Sequence, residues 1–260
     1  MIKGSKGSFT PEHFVGKIKA RNAARRKPWR NYLKRLAVET AAVSGREKWR
    51  KLGVVWDDGR NYANHYSPFF SFALSKFLRT NVTDMAGGVA NLVGKPTIQV
   101  LEDGVGRGAF LSEFKPILWK LGLKAQTTGL YVERKNPRLE KARGQIDELQ
   151  RGLAEYYVPK KKFDLFVSLA GSIQETLPAH QVNKILKFAS AMNPRGLMLV
   201  GLVRGSFDFR FDFQVAKVKR VLMEEGFRAE VYKVPSEVTP GVTLPNYVLV
   251  AQRGRLRGSK

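Results

Sequence analysis

From residue 97 onward, short apolar segments typical of buried strands alternate with segments whose apolar residues recur at helical spacing. This pattern predicts strands at 97–102, 127–132, 163–169 and 196–203. It predicts helices at 108–121, 136–152, 179–192 and 212–225. Two last strands, 228–234 and 247–251, follow without a helix between them, which indicates antiparallel pairing. We therefore expect an α/β fold with a doubly wound, mostly parallel sheet that ends in an antiparallel hairpin.

The first third of the chain has a different character, because it is basic and has no strand-like segment. Residues 1–60 carry sixteen Lys or Arg against five Asp or Glu, which is +11 of the chain's formal charge of +24. Helical spacing of apolar residues predicts helices here and again at 69–78 and 84–95. We expect a basic helical N-terminal extension over 1–90, an α/β domain over 91–252 and a basic tail over 253–260.

The segment from Val100 to Gly108 contains the strongest chemical signal, because an apolar strand runs through two carboxylates into three alternating glycines. Glycines at this position let the backbone turn sharply and approach a ligand. The spacing Glu102-x-Gly104-x-Gly106-x-Gly108 is similar to motif I of the class I S-adenosylmethionine-dependent methyltransferases, which bind a methyl donor. Read as Gly104-x-Gly106-x-x-Ala109, the same loop also fits a loose nicotinamide dinucleotide fingerprint. The carboxylates favour the first interpretation, since the methyl donor is cationic and a dinucleotide diphosphate is anionic.

Further segments in the same order resemble the class I S-adenosylmethionine-dependent methyltransferases, over roughly residues 95–252. After the glycine loop, Gly129–Glu133 resembles the family's second strand, which ends in an acidic residue, and Phe163–Ser168 resembles its fourth strand, which opens with an aromatic residue and an aspartate. Met192–Val200 resembles the proline-glycine turn that precedes an apolar strand, and Glu224–Phe227 is similar to the end of the last helix before the hairpin. The closing reversed strand is similar to that family, whereas dinucleotide dehydrogenases generally continue with parallel strands. The resemblance implies a seven-stranded sheet and S-adenosylmethionine as cofactor.

The resemblance also implies a set of cofactor-binding residues. Glu133 would accept hydrogen bonds from both ribose hydroxyls, and Glu102 would fix the loop or face the methionine ammonium. Asp164 is expected to hold the start of its strand. The cofactor-binding residues that we predict are Glu102, Gly104, Gly106, Gly108, Glu133, Ser168 and Leu169.

Two departures from the family pattern bear on this site. The family usually has a third strand followed by an acidic residue near the adenine, but only Leu153–Lys162 separates the predicted helix from the next strand here, with Glu155 as a candidate for that acid. Arg107 is bulkier than the small residue often found at its position. No catalytic residue is predicted, and the chain has Ser168–Ser172 where amino-group methyltransferases have an Asn-Pro-Pro-Tyr or Asp-Pro-Pro-Tyr sequence.

Composition narrows the choice of partners and of chemistry. With 46 Lys plus Arg against 22 Asp plus Glu, the chain is expected to attract polyanions, and nucleic acid above all. The absence of cysteine excludes disulfides, thiolate metal sites and cysteine nucleophiles, and the three histidines lack ligand spacing, so no metal is expected. No apolar run is long enough to span a bilayer and no secretory signal is visible, so we expect a cytoplasmic protein.

Taken together, these features predict a methyltransferase that acts on RNA, either ribosomal or transfer RNA. The residues expected to grip the RNA backbone lie in the extension and are Lys17, Lys19, Arg21, Arg25, Arg26, Lys27 and Arg30. Two alternatives stay open: a non-catalytic RNA-binding protein that keeps the fold, and a methyltransferase for a protein or a small molecule. The oligomeric state is not indicated by the sequence.

Overall fold

The described part of the chain folds around one mixed β-sheet flanked by helices on both faces. A computed structural model describes residues 61–131, 137–151, 157–169, 173, 178–202, 211–238 and 247–254. All of these residues belong to one compact unit, Val55–Lys260. Most of the predicted basic extension lies outside the described residues, and the proposed domain limits stay a prediction.

Seven strands form the sheet, in the order β3-β2-β1-β4-β5-β7-β6. They are β1 (Thr97–Asp103), β2 (Lys124–Tyr131), β3 (Glu148–Arg151), β4 (Phe163–Ser168), β5 (Met192–Leu202), β6 (Phe227–Lys233) and β7 (Tyr247–Arg253). The first five pair in parallel, and β7 runs antiparallel to both of its neighbours. The predicted fold class, a seven-stranded and mostly parallel sheet that ends in an antiparallel hairpin, is confirmed.

Two apolar layers hold the helices on the sheet. The helices are α1 (Ser67–Leu78), α2 (Met85–Val93), α3 (Ala109–Lys120), α4 (Pro137–Ala142), α5 (Pro178–Ser190) and α6 (Phe211–Glu224). Alternate residues along a strand face opposite sides of a sheet. Accordingly, Val100 packs in the layer with α1, α2 and α3, whereas its neighbour Leu101 packs in the layer with α5 and α6.

The predicted helix over 136–152 is wrong beyond its first turns. The helix α4 ends at Ala142, a 3₁₀ turn follows at Arg143–Gln145, and the chain then forms β3. The chain forms a strand here and not a helix because β2 has a free edge, with which the backbone of β3 pairs in a hydrogen-bonded ladder. The third strand therefore lies before the Leu153–Lys162 segment where the sequence left room for it.

The segment before the sheet is part of the same core. A π-helical turn at Tyr62–Tyr66 leads directly into α1, and both terminal tyrosines of the turn are buried. Asp84 caps α2 by accepting hydrogen bonds from the backbone N–H groups of Ala86 and Gly87, at 3.0 and 3.4 Å. The turn and both helices contribute to the apolar layer that also contains α3.

Candidate functional site

The strand order reverses between β1 and β4, and this point defines the candidate site. From β1 the chain continues to β2 on one side, and from β4 it continues to β5 on the other. Ligands of open α/β sheets bind in the crevice outside the carboxyl ends of the strands at such a switch point. The glycine loop follows the carboxyl end of β1, and Ser168 lies at the carboxyl end of β4.

The loop after β1 uses its glycines in the left-handed region of backbone conformation. Gly104, Gly106 and Gly108 have φ values of 81°, 51° and 79°. A residue with a Cβ adopts such values only at a cost of roughly 1–2 kcal/mol. The loop is also pinned to the neighbouring strand, because the N–H groups of Gly104 and Val105 donate to the carbonyl oxygen of Leu130 at 3.2 and 3.0 Å. The predicted sharp turn is therefore present, and the loop is held from β2.

Gly108 has a further reason to be glycine, and that reason is packing. A Cβ built at this position would lie 2.8 Å from the Cβ of Ala142, 3.0 Å from Ile146 Cδ1 and 3.2 Å from Leu139 Cδ1. These side chains come from α4 and the segment that leads to β3. Gly108 thus allows this segment to pack closely against the start of α3.

The two acids of the motif are both buried, with 1% of each residue exposed, and have different partners. Glu102 accepts a hydrogen bond through Oε1 from the Tyr66 hydroxyl at 2.5 Å. Asp103 accepts hydrogen bonds through Oδ2 from the Ser168 hydroxyl at 3.1 Å and from the Ile173 N–H at 3.2 Å. Asp103 therefore ties β1 to the chain that leaves β4, across the switch point, and Glu102 is tied to the segment before α1.

Ser168 and Leu169 lie at the predicted place but are fully buried. The Ser168 hydroxyl is engaged by Asp103, and the Leu169 side chain packs in the apolar layer with α1 and α3. Contact with a ligand in the crevice would therefore use their backbone atoms. Their role in cofactor binding stays a prediction.

Several predicted functional residues lie outside the described residues, so their roles also stay predictions. They are Glu133, Glu155, Lys17, Lys19, Arg21, Arg25, Arg26, Lys27 and Arg30. Arg107 is described and is partly exposed within the glycine loop.

Asp164 confirms its expected structural role at the opposite end of the sheet. Its carboxylate is buried at the start of β4, with 2% of the residue exposed. It accepts hydrogen bonds from Lys95 Nζ at 2.6 Å, from the Gln99 N–H at 2.9 Å and from Asn193 Nδ2 at 2.8 Å. It therefore joins the starts of β1, β4 and β5 and is remote from the crevice.

The sequence did not point to the pair of tyrosines in the π-helical turn. Tyr62 donates a hydrogen bond to Asp84, and burial together with this bond raises the pKa of Tyr62 well above its ordinary value. Tyr66 reaches Glu102 and stacks on Phe110, with ring centroids 4.1 Å apart and planes at 18°. Their spacing of four residues was visible in the sequence, but a link to the motif acid depends on the folded chain.

Two properties of the described segments bear on partners. Among these residues, no group of three or more His, Asp or Glu side chains is arranged to hold a metal ion. A search of the same residues finds no helix with the length and apolarity needed to cross a bilayer.

Comparisons with known proteins give matches among solved structures only: no family model and no curated protein matches the chain. The chain is 15% identical to 1,6-didemethyltoxoflavin-N1-methyltransferase of Burkholderia thailandensis, over 65% of this chain and 76% of that one, with a TM-score of 0.47. The chain is 13% identical to DesVI of Streptomyces venezuelae, over 71% of this chain and 92% of that one, with a TM-score of 0.46. It is 16% identical to a TehB-like SAM-dependent methyltransferase from Corynebacterium glutamicum, over 72% of this chain and 100% of that one, with a TM-score of 0.44.

These similarities are distant, and the assignment of the fold rests on the sheet itself. The sequence resemblance implied a seven-stranded, mostly parallel sheet that ends in an antiparallel hairpin, and the structure has this sheet. Its five parallel strands lie in the order 3-2-1-4-5, and β7 runs in reverse between β5 and β6. The protein has the class I methyltransferase fold.

Proposed function

We propose that the protein is an S-adenosylmethionine-dependent methyltransferase. The observation that carries the proposal is the loop Glu102–Gly108, which combines a buried acid with three left-handed glycines at the switch point of the sheet. A fold alone supports many functions, so the argument depends on this loop.

The residues present fit the charge and shape of this cofactor. S-adenosylmethionine carries a sulfonium and an ammonium cation, and Glu102 places a buried carboxylate beside the loop. A dinucleotide diphosphate would meet Glu102 and Asp103 as like charges in a region of low dielectric constant, which is unfavourable. Gly104 and Gly106 place no side chain at their own two positions in the loop, so the backbone there can approach the cofactor closely. Glu133 would hold the ribose, and Ser168 and Leu169 would contribute backbone atoms.

This chemistry needs no dedicated catalytic residue. The bound cofactor supplies a methyl group on a sulfonium, which an acceptor atom displaces in line. Much of the rate of such a step comes from holding the two reactants in line. The role of the chain is therefore to bind both molecules in fixed orientations, and we assign no general base.

Binding of the cofactor is tested by calorimetry with S-adenosylhomocysteine and, in parallel, with NAD. Saturable binding of S-adenosylhomocysteine with no binding of NAD is the expected result. Gly106→Ala, at φ 51°, should weaken this binding, whereas Gly226→Ala, at φ 83° and with no heavy atom within 4 Å of the added Cβ, should not. Binding of NAD in place of S-adenosylhomocysteine would refute the proposal.

For the acceptor, we propose RNA, either ribosomal or transfer RNA. The support is the net charge of +24 and its concentration in the first 60 residues, which include Lys17, Lys19, Arg21, Arg25, Arg26, Lys27 and Arg30. Incubation with labelled S-adenosylmethionine and total cellular RNA or protein would show which fraction gains label. Label in protein or small molecules alone would contradict an RNA acceptor.

Filter binding at increasing salt tests the charge argument separately. Contacts with phosphates release counterions, so the affinity for RNA should fall steeply as salt rises. One argument for a non-catalytic protein was the short segment available for a third strand, and this argument no longer holds because β3 supplies that strand.

A further inference from the structure

A buried hydrogen bond links the turn before α1 to the candidate cofactor site. The Tyr66 hydroxyl donates to Glu102 Oε1 at 2.5 Å, across 36 residues of sequence. Both residues are almost fully buried, with 4% of Tyr66 and 1% of Glu102 exposed. A carboxylate removed from water depends on such donors for its stability as an anion.

The ring of Tyr66 is fixed relative to the glycine loop at two points. Its hydroxyl meets Glu102, the residue two positions before the first glycine. Its ring stacks on Phe110, the second residue after the last glycine, with centroids 4.1 Å apart. A second aromatic residue, Phe70 of α1, lies against it at 6.0 Å. Tyr66 therefore spans the loop from its acid to its helix.

The backbone that presents Tyr66 is unusual. It ends a π-helical turn, in which the Tyr66 N–H donates to the Asn61 carbonyl oxygen, five residues back, at 3.2 Å. Such turns are rare and occur frequently at functional sites. The turn is anchored at its other end, where the Tyr62 N–H donates to Glu113 Oε2 of α3 at 2.9 Å.

We propose that Tyr66 is a positioning residue for the cofactor, acting through Glu102. It holds the Glu102 carboxylate in the orientation that faces the ammonium group of the methionine part of the cofactor. A carboxylate accepts several hydrogen bonds, so the bond from the tyrosine is compatible with a second donor from the ligand. This inference rests on the proposed function.

Tyr62 offers a matched control in the same turn. It is also buried, it also donates to a carboxylate, and its ring also lies against Phe110, at 6.3 Å. Its partner, however, is Asp84, which caps α2 and lies outside the glycine loop. Tyr62→Phe therefore removes a comparable hydroxyl without touching the motif acid.

The test uses two ligands that differ in the amino acid end, which carries the ammonium group that Glu102 would recognise. S-adenosylhomocysteine has the amino acid end, and 5′-methylthioadenosine has the same nucleoside and thioether without it. In calorimetry, Tyr66→Phe should raise the Kd for S-adenosylhomocysteine about tenfold, the scale expected for loss of a hydrogen bond to a charged group. Its Kd for 5′-methylthioadenosine should stay within about twofold. Tyr62→Phe should leave the ratio of the two Kd values unchanged.

If Tyr66→Phe raises the Kd of both ligands by the same factor, or raises neither Kd, the inference is overturned and the proposed function still stands. Failure of the unaltered protein to bind S-adenosylhomocysteine would instead refute the proposed function, and the inference with it. Glu102→Gln provides a second route if Tyr66→Phe folds poorly. It should weaken S-adenosylhomocysteine selectively, and adding Tyr66→Phe to it should produce little further loss if the tyrosine acts through the acid. Additive losses would contradict that.

Discussion

Replacement of Gly108 by alanine should destabilise the protein for two separable reasons. The backbone at Gly108 has φ 79°, which a residue with a Cβ adopts at a cost of roughly 1–2 kcal/mol. The new methyl group would also lie 2.8 Å from the Ala142 Cβ and 3.0 Å from Ile146 Cδ1. The Ala142 contact cannot be relieved by a rotamer change, so the backbone must shift. Overpacking of this kind costs typically about 1–3 kcal/mol.

The expected loss is therefore about 2–5 kcal/mol in the free energy of unfolding. Urea unfolding followed by circular dichroism measures it as a lower midpoint with an unchanged slope. Gly122→Ala is the matched control, because Gly122 has φ 77° and no heavy atom within 4 Å of an added Cβ. This control should lose only the backbone part, roughly 1–2 kcal/mol.

The difference between the two variants isolates the packing of the segment after β2 against the start of α3. Ala142→Gly in the Gly108→Ala background should recover part of the loss, since it removes the atom at 2.8 Å. If Gly108→Ala and Gly122→Ala lose the same stability, the contact with α4 is not a constraint. The explanation given for Gly108 would then be wrong.

Substitutions at three further positions test other parts of the fold by the same unfolding measurement. Asp164→Ala should cost about 1.5–3 kcal/mol, because it removes a buried acceptor of three hydrogen bonds, and Asp164→Asn should cost less. Partial burial of Asp147 opposes its ionisation, but hydrogen bonds from Lys115 and Thr127 outweigh this and lower its pKa. Asp147→Asn should thus lower the free energy of unfolding by under about 1 kcal/mol at pH 7. This loss should be complete above the ordinary aspartate pKa of about 3.9 and should disappear as the pH falls through the lowered pKa of Asp147 in the folded protein. A loss of stability that persists at low pH would contradict the charge explanation. Gly87→Ala within α2 should stabilise the protein by about 0.5–1 kcal/mol, because the new Cβ has open space, and a loss would show an unrecognised constraint.

The strands β4, β5 and β7 were predictable because most of their residues are apolar and buried on both faces. β4, for example, is buried along its whole length, and its residues are apolar except for Asp164 and the last residue, Ser168. The position of Asp164 at the start of β4 also allowed its structural role to be predicted. The polar strand β3 could not be found in this way, since each of its residues is at most partly buried. It forms because β2 offers a hydrogen-bonding edge, which local periodicity cannot reveal.

The candidate site also has one part that the sequence predicted and another part that it did not. The glycine loop was predictable because its spacing carries a backbone requirement that only glycine meets at low cost. The partners of its acids were not predictable, because Tyr66 lies 36 residues from Glu102 and Ser168 lies 65 residues from Asp103 along the chain. The packing function of Gly108 was also missed, since it depends on where α4 ends.

By itself, the sequence determined the alternation of strands and helices, the sharp turn after β1, the reversed last strand and the positive charge, because each is written in local residue types and spacing. The tertiary structure decided which strand took the edge beside β2, which tyrosine reached Glu102 and which side chains surrounded Gly108. Each of these outcomes depends on contacts between segments that are far apart in the sequence. Their free energies arise only when the whole sheet brings those segments together.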